Sequence, residues 1–203
     1  TNSPDLRGID VALLYQRDLF KLLSSRSISI PPLKQYRPTR DLLHVSGLLL
    51  TGDTLDVFVC HLPSRSGGAK ESESYRLYAA HILRMEVDSI MSIRSLPQVI
   101  IMGDFNDYPT NQSIQKILEA EAPPVTTNNL ASTTGSTNFS TVAPSSLKLY
   151  HLLARKAKSK DFGSYKYRGE WGLLDHLIVS GTLLNQSNHF FTSEVKATVC
   201  LLP

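Results

Sequence analysis

The chain has 203 residues, of which 41% are hydrophobic and 19% charged, and its formal net charge is +3. These values are ordinary for a soluble globular protein, and a charge this small is by itself no argument for nucleic-acid binding. The two cysteines, Cys60 and Cys200, exclude a disulfide framework and a cysteine zinc site, and the apolar run around Cys60 predicts a buried free thiol.

The sequence leaves the cellular compartment open. No stretch approaches the length of a membrane span, and no signal peptide is visible. The chain begins with Thr1 rather than with Met, so we expect an N-terminal segment to be missing, together with any export signal that it carried.

Short apolar runs and one long amphipathic segment make up the first half of the chain. Residues 9–15 (IDVALLY) predict a buried strand, and residues 42–50 and 55–62 predict a hairpin around a Gly-Asp turn. Residues 71–94 predict a helix because apolar residues recur along one of its faces. This apolar stripe consists of Tyr75, Ala79, Leu83, Val87 and Ile90.

Pro97 ends the helical segment, and residues 98–102 predict the next strand. A short helix is expected to follow, from Asn111 as a capping residue to about residue 120. Residues 121–146 are rich in Thr, Ser, Asn and Pro, which predicts a long surface loop. Residues 147–157 predict a helix. The last elements are a strand pair, residues 165–168 and 173–179, around a turn at residues 169–172.

Polar side chains interrupt the apolar strands at four places. Arg40 opens the strand of PTRDLLHVSG, and His61 closes that of DVFVCHLPSR. Asp104 and Asn106 close VIIMGDFN, whereas Asp175 lies inside GLLDHLIVS, where a buried carboxylate demands a partner. Each residue alone has a structural explanation. Together, a cation, an imidazole, a carboxamide and two carboxylates are the groups used in metal-assisted hydrolysis of phosphate esters.

Three motifs, FVCHLPSRSGG, IIMGDFNDYP and GLLDHLIVSGTLL, resemble in order and separation those of the endonuclease/exonuclease/phosphatase superfamily. This superfamily includes pancreatic deoxyribonuclease, abasic-site endonucleases, neutral sphingomyelinases and inositol polyphosphate 5-phosphatases. The resemblance covers nearly the whole chain and implies an α/β (α+β) fold, a sandwich of two mixed sheets flanked by helices in the four-layer architecture of deoxyribonuclease. We expect residues 1–203 to form a single, truncated domain of this kind.

The resemblance also implies a role for each polar residue. Asp104 resembles the aspartate that positions or deprotonates the attacking water, and it is the expected ligand of Mg²⁺ (or Mn²⁺). Asn106 resembles the asparagine that holds the phosphate and the nucleophile. His61 matches a histidine that contacts the scissile phosphate and helps to protonate the leaving group. Asp175 matches the aspartate that orients the catalytic histidine, and Arg40 resembles a phosphate-binding arginine.

Four further residues fall on flanking loops, where a phosphoesterase of this kind selects its substrate. They are Arg65, Tyr167, Arg168 and Trp171. We assign substrate binding to Arg65, although a purely structural role is at least as well supported for all four.

Two parts of the family pattern are missing from the sequence. A metal-contacting Asn and a Glu that is the main Mg²⁺ ligand should precede residue 9, and a Ser-Asp-His stretch with the catalytic histidine should close the domain. The pair Asp175-His176 is an alternative for that stretch. It lacks the preceding Ser, however, and strand alternation points its two side chains to opposite faces. We therefore expect His176 to be structural.

These observations predict a Mg²⁺-dependent hydrolase of phosphate esters, a phosphodiesterase, nuclease or phosphatase, whose 203-residue portion is inactive alone. The substrate stays open between nucleic acid, phospholipid and a small phosphate ester. The alternative is a non-catalytic phosphate- or nucleic-acid-binding module of the same fold. Because a partial sandwich exposes sheet edges, we also expect association with another copy or with the missing segments.

Overall fold

A computed structural model of the chain describes residues 1–34, 36–125 and 144–200. One long helix, α1, spans Glu73–Ile93, and shorter helical turns lie at Ser113–Ile117, Lys156–Lys158 and Gly181–Leu184. The eight strands are β1 (Phe20–Ile28), β2 (Leu42–Leu49), β3 (Thr54–His61), β4 (Gln98–Asp104), β5 (Leu149–His151), β6 (Tyr165–Tyr167), β7 (Glu170–Gly172) and β8 (Asp175–Ser180). No helix in this described part is long and apolar enough to cross a bilayer.

Six strands form one mixed sheet in the order β1-β2-β3-β4-β8-β5, and β6 and β7 form a separate two-stranded ribbon. β3 and β4 are parallel and are joined through α1, whereas the other neighbours in the large sheet are antiparallel. The predicted α/β class is therefore confirmed, with a large sheet and a second, small one.

Apolar side chains cover both faces of the six-stranded sheet. On the face that carries α1, the predicted helical stripe packs against residues such as Phe58 and Ile101. On the second face, Val57 and Val179 belong to a separate apolar cluster that also includes Val11 from the N-terminal segment. Successive strand residues point to opposite faces, so a residue two positions from a cluster member lies on the same face as that member.

Several predicted elements are confirmed. β2 and β3 form the expected antiparallel hairpin, α1 begins two residues after the expected start and ends one before the expected end, and β4 continues to Asp104. The Cys60 thiol is free and buried. The short helix after Asn111 exists only as the five-residue turn Ser113–Ile117.

The predicted buried strand at residues 9–15 is wrong. This segment pairs with no strand among the described residues, and only its alternate residues Val11 and Leu13 pack on the second face. Leu14 is 95% exposed. An apolar run signals a buried strand only if a neighbouring strand accepts its backbone hydrogen bonds, and the sequence does not show whether that neighbour is present.

Two predictions in the second half of the chain are also corrected. Residues 147–157 are not a helix, because the fully buried segment Leu149–His151 pairs with β8 and extends the sheet. Tyr165–Tyr167 pairs with Glu170–Gly172 and not with the strand after it, so β8 is left to pair with β4 and β5. In both cases tertiary pairing overrides the local pattern.

β1 was not predicted, because it lacks an apolar pattern. All of its residues except the first and the last are exposed, which is typical of a strand at the edge of a sheet. Most of the loop predicted at residues 121–146 lies outside the described residues. Within the described part, Glu121 forms an isolated parallel bridge to Tyr150.

Gly103 is required where β4 passes β3 just before the sheet edge. Its φ of +129° is a backbone conformation that L side chains rarely adopt, and a Cβ atom placed there would lie 2.0 Å from the backbone oxygen of Cys60. Neither atom can move without breaking the ladder between the two strands, so the residue before Asp104 has to be glycine.

We predict that Gly103→Ala lowers the free energy of unfolding by about 3 kcal/mol or more, because it combines backbone strain with a clash against another strand. Gly67→Ala is the matched control, since Gly67 also has a positive φ of +87° but open space around it. The control should lose about 1 kcal/mol. Urea unfolding measures both, and equal losses would contradict the clash.

Candidate active site

Three adjacent strands in the middle of the sheet bring His61, Asp104 and Asp175 side by side where these strands end or begin. In the ladder registers, His61 lies opposite Asp104, and Asp104 lies opposite Asp175. All three side chains are on the second face, because each lies two residues from a member of the apolar cluster there. These neighbours are Val59, Met102 and Leu177. We call these three residues the polar row.

The backbone directly after β4 places Asn106 beside the polar row. The Asn106 N–H donates to Asp104 Oδ1 over 2.7 Å, which closes an Asx-turn, and the residue has a left-handed φ of +51° that asparagine tolerates. Its side-chain Nδ2 donates to the Leu62 carbonyl over 3.0 Å. The carboxamide is therefore held between the ends of β3 and β4.

His61 and Asp104 lie close together but are not an ion pair at neutral pH. The His61 Nε2–Asp104 Oδ2 distance is 3.6 Å, which is beyond hydrogen-bond reach. Burial lowers the pKa of His61 to about 4, and the positive charges of Arg40 and Arg7 act in the same direction, so the imidazole is neutral. Burial also raises the pKa of Asp104. Each side chain remains about one third exposed.

The structure differs from the expected burial of Asp175 and from the expected position of Arg40. Asp175 was expected to be buried, but it is the first residue of β8 and is exposed. Arg40 does not join the polar row. It is only 2% exposed, and its guanidinium is 3.2 Å from Asp5 Oδ2 and 3.2 Å from the carbonyl oxygen of Leu62.

Arg65 lies against the loop after β4 (residues 105–111, the site loop). Its Nε donates to the Asn106 carbonyl over 2.7 Å, and its guanidinium stacks 4.5 Å from the centre of the Tyr108 ring. Arg65 thus holds the loop that carries Asn106. Substrate binding by Arg65 remains a prediction.

The other residues predicted to select substrate lie on the β6–β7 ribbon. Tyr167 and Arg168 are exposed, with the guanidinium 5.2 Å from the centre of the Tyr167 ring. Trp171 is partly exposed beneath the Lys166 ammonium group. Trp171 also lines a cavity of about 950 Å³ that does not include the polar row.

Sequence reasoning missed the ion pair that anchors the site loop. Arg76 and Asp107 are both buried, with Arg76 Nε donating to Asp107 Oδ1 over 2.8 Å. Ser113 Oγ donates to the other carboxylate oxygen. One signal was visible in the sequence: Arg76 occupies the same helical row as the buried Ala80 and Leu83, where a charged residue needs a partner.

Two buried histidines hold the same loop from the sheet. The Leu153 N–H donates to His151 Nδ1 over 3.1 Å, so the neutral His151 carries its proton on Nε2 and donates it to His176 Nδ1. His176 Nε2 then donates to the Asp107 carbonyl over 2.9 Å. Burial lowers the pKa of His151 to about 3 and that of His176 to about 4, so both rings are neutral.

The described residues do not fit a complete magnesium site. Among them, no group of three His, Cys, Asp or Glu side chains is arranged to hold a metal ion. Asp104, the expected ligand, has the exposed Asp175 opposite it and the neutral His61 beside it. Mg²⁺ requires near-octahedral coordination, mostly by oxygen, which this set does not supply.

A family model described as "Endonuclease/Exonuclease/phosphatase family" matches residues 1–200. The chain belongs to this family. The superfamily indicated by the three sequence motifs is thus confirmed. A comparison with curated protein sequences gives no match.

Several solved structures share the fold of this chain. The human Nocturnin catalytic domain with bound sulfate aligns with a TM-score of 0.53 at 20% identity over 82% of this chain and 50% of its own. Truncated Caenorhabditis elegans TDP2 aligns with a TM-score of 0.52 at 13% identity, over 81% of this chain and 54% of its own. ANGEL2, a 2′,3′-cyclic phosphatase, aligns with a TM-score of 0.55 at 14% identity, over 82% of this chain and 56% of its own. The chain spans about half the length of these structures, and at such identities the likeness shows the fold alone.

Acidification is predicted to destabilise the folded chain through His151 and His176. In the unfolded chain their pKa returns to 6.5, so between that value and about pH 4 the unfolded state binds more protons than the folded state. The free energy of unfolding is therefore highest above pH 6.5 and falls as the pH is lowered, by about 1.4 kcal/mol per pH unit for each histidine.

Urea unfolding from about pH 7 to about pH 4.5 measures this slope. We expect His151→Asn to flatten it by about one proton. His81→Asn should leave the slope unchanged, because His81 is exposed on α1. An unchanged slope in His151→Asn would show that the buried pair does not control acid stability.

Proposed function

We propose that the chain carries the water-activating and phosphate-binding groups of a metal-dependent phosphoesterase. The observation that carries this proposal is the polar row, in which β3, β4 and β8 hold an imidazole and two carboxylates in register at one open edge. Asn106 lies beside the row, and the chain belongs to a family named for nuclease and phosphatase activity. Such convergence of a general base and hydrogen-bond donors suits hydrolysis at phosphorus.

In this proposal Asp104 is the general base. Its carboxylate takes a proton from the attacking water while the new P–O bond forms and the ester P–O bond breaks. Burial raises the pKa of Asp104, which makes the carboxylate a better base than an exposed one. The Asn106 carboxamide and the His61 N–H donate hydrogen bonds to the phosphoryl oxygens, where negative charge develops.

His61 is a hydrogen-bond donor to the phosphate and not the acid in the resting protein. Its ring is neutral because burial and the nearby arginines lower its pKa. The leaving oxygen therefore takes its proton from solvent or from a group outside the described residues. Asp175, exposed opposite Asp104, is placed to orient such a group from the rim.

We further propose that the intact protein requires Mg²⁺ or Mn²⁺. A divalent cation, if bound there by Asp104 and by ligands outside the described residues, would supply positive charge against the phosphate. Asp104 is the residue of this chain that we assign to it, and the remaining ligands are assigned outside the described residues, in which no complete metal site exists.

Substitutions in the polar row test the proposed chemistry in the intact protein. We expect Asp104→Asn and His61→Ala each to lower kcat for an activated aryl phosphodiester by about 10²–10⁴-fold, with the folded state retained, because each removes a group that acts on the transition state. The matched controls are Asp88→Asn and His81→Ala, which change exposed residues of α1. Near-normal activity of either row variant would remove that residue from the mechanism.

The metal requirement has its own test. We expect the 203-residue chain with added Mg²⁺ to show no turnover, and the intact protein to turn over only with Mg²⁺ or Mn²⁺. If the 203-residue chain alone showed robust Mg²⁺-dependent turnover, the remaining metal ligands would have to lie within this chain, and our assignment of them to residues outside it would be wrong. If the intact protein binds phosphate but never hydrolyses the ester, the second candidate, a non-catalytic phosphate-binding module, is supported.

A further inference from the structure

A cavity of about 450 Å³ lies at the same end of the sheet as the polar row, but on the face that carries α1. Pro63 and Ser64, which follow the end of β3, line one side of it, and Tyr75 from the first turn of α1 lines another. Residues 5–7 and 36–40 form most of the remaining lining, together with Ser66, Gly67 and Ser72. We call it the arginine cavity.

Positive charge dominates the lining of this cavity. Arg7, Arg37 and Arg40 contribute three guanidinium groups, and Asp5 contributes the one carboxylate. Arg7 and Arg40 both contact Asp5 Oδ2, at 2.9 Å and 3.2 Å. Arg7 Nε also donates to Asp5 Oδ1, so two cations share this one carboxylate, and one of them, Arg40, is only 2% exposed. A buried cation with so little neutralisation is costly, and an anion in the cavity would remove that cost.

Three buried polar atoms in the same lining have no hydrogen-bond partner among the described residues. They are Thr39 Oγ1, Arg40 Nε and Tyr75 Oη, on side chains that are 3%, 2% and 3% exposed. Burial raises the pKa of Tyr75, and the Thr39 backbone N–H near the hydroxyl oxygen acts against this, whereas the hydroxyl hydrogen has no acceptor. An unsatisfied buried group costs about 1–3 kcal/mol, and three of them around one cavity indicate a missing partner that accepts hydrogen bonds.

The first turn of α1 adds a further preference for an anion. Ser72 and Tyr75 both line the cavity at the N-terminal end of this 21-residue helix. The Ser72 and Glu73 N–H groups donate to the Gly68 and Lys70 carbonyls, so the contribution of this helix end is its dipole, which favours negative charge. Helix, guanidinium groups and unsatisfied hydroxyls therefore select the same kind of ligand.

We propose that the arginine cavity binds a phosphate group of the substrate other than the one that is hydrolysed. This rests on the proposed phosphoesterase function and narrows its substrates to esters that carry at least two phosphate groups. A phosphate dianion matches the two excess positive charges, and its oxygens accept hydrogen bonds from several directions. Because the unsatisfied atoms are buried, the lining opens slightly on binding, and the exposed Arg7 and Arg37 side chains are the parts freest to move.

The cavity is joined to the polar row through one carbonyl group. Arg40 Nη2 and Asn106 Nδ2 both donate to the Leu62 oxygen, at 3.2 Å and 3.0 Å. Arg40 thus lies between the cavity and the asparagine that we place on the scissile phosphate. A substrate with two phosphate groups would reach around the end of β3, with one group on each side of the strand.

The test uses inorganic phosphate as the probe and the variants Tyr75→Phe and Thr39→Val. Each variant removes a hydroxyl that is unsatisfied without ligand, so the free protein should be as stable as before or more stable in thermal unfolding. Each should nevertheless weaken phosphate binding, measured by calorimetry, by about three- to tenfold. Tyr78→Phe is the matched control, because Tyr78 lies on the same helix outside the cavity and should change neither property. A purely structural role of the hydroxyls would lower stability and leave binding intact.

A second arm separates this inference from the proposed function. Asp104→Asn should keep phosphate binding in the cavity, and Tyr75→Phe should raise KM for an ester with two phosphate groups without changing kcat or the KM of an ester with one. If phosphate binding depends on Asp104 and not on Tyr75, the cavity proposal is overturned and the polar row stands. If Tyr75→Phe weakens phosphate binding while row variants keep full activity, the polar row is overturned and the cavity remains a phosphate site.

Discussion

The buried ion pair between Arg76 and Asp107 fixes the position of the site loop. Either charge alone in that interior would cost several kcal/mol, so the helix and the loop have to meet there. The remaining donors of Arg76 go to Ser72 Oγ and the Ala69 carbonyl, and Ser113 satisfies the second oxygen of Asp107. This network sets the rotation of α1 about its axis. It also holds Asn106 in place, because Asn106 directly precedes the buried Asp107 in the loop.

The polar row depends on ladder registers that the apolar faces specify. A slip of one residue in β4 would move Asp104 to the α1 face and bury it against the helix, while Gly103 would lose its place next to the Cys60 carbonyl. The same alternation that buries the core therefore places the reactive side chains. The polar row lies just beyond the core, because the strands end where the apolar clusters end.

The sequence could predict the elements whose pattern is decided locally. The α1 stripe and the β2–β3 hairpin were predictable because periodicity and turn residues agree. The unpaired segment at residues 9–15, the edge strand β1 and the short strand β5 were not, because pairing partners decided each of them. At the site, the motifs predicted that His61 and Asp104 would meet. They could not predict that Arg40 would turn to the other face, because its partner Asp5 lies 35 residues earlier in the chain.

The chain of hydrogen bonds from Leu153 to Asp107 runs in one direction only, and its direction makes the attachment of the site loop all-or-none. Reversing the tautomer of His151 would point an N–H at the Leu153 N–H, and it would remove the donor on which the tautomer of His176 depends. No half-formed arrangement satisfies both rings, so the two imidazoles and the loop carbonyl gain or lose their bonds together. The hydrogen bond to the Asp107 carbonyl therefore depends on the tautomers of both rings, which the chemical shifts of the imidazole nitrogens would report.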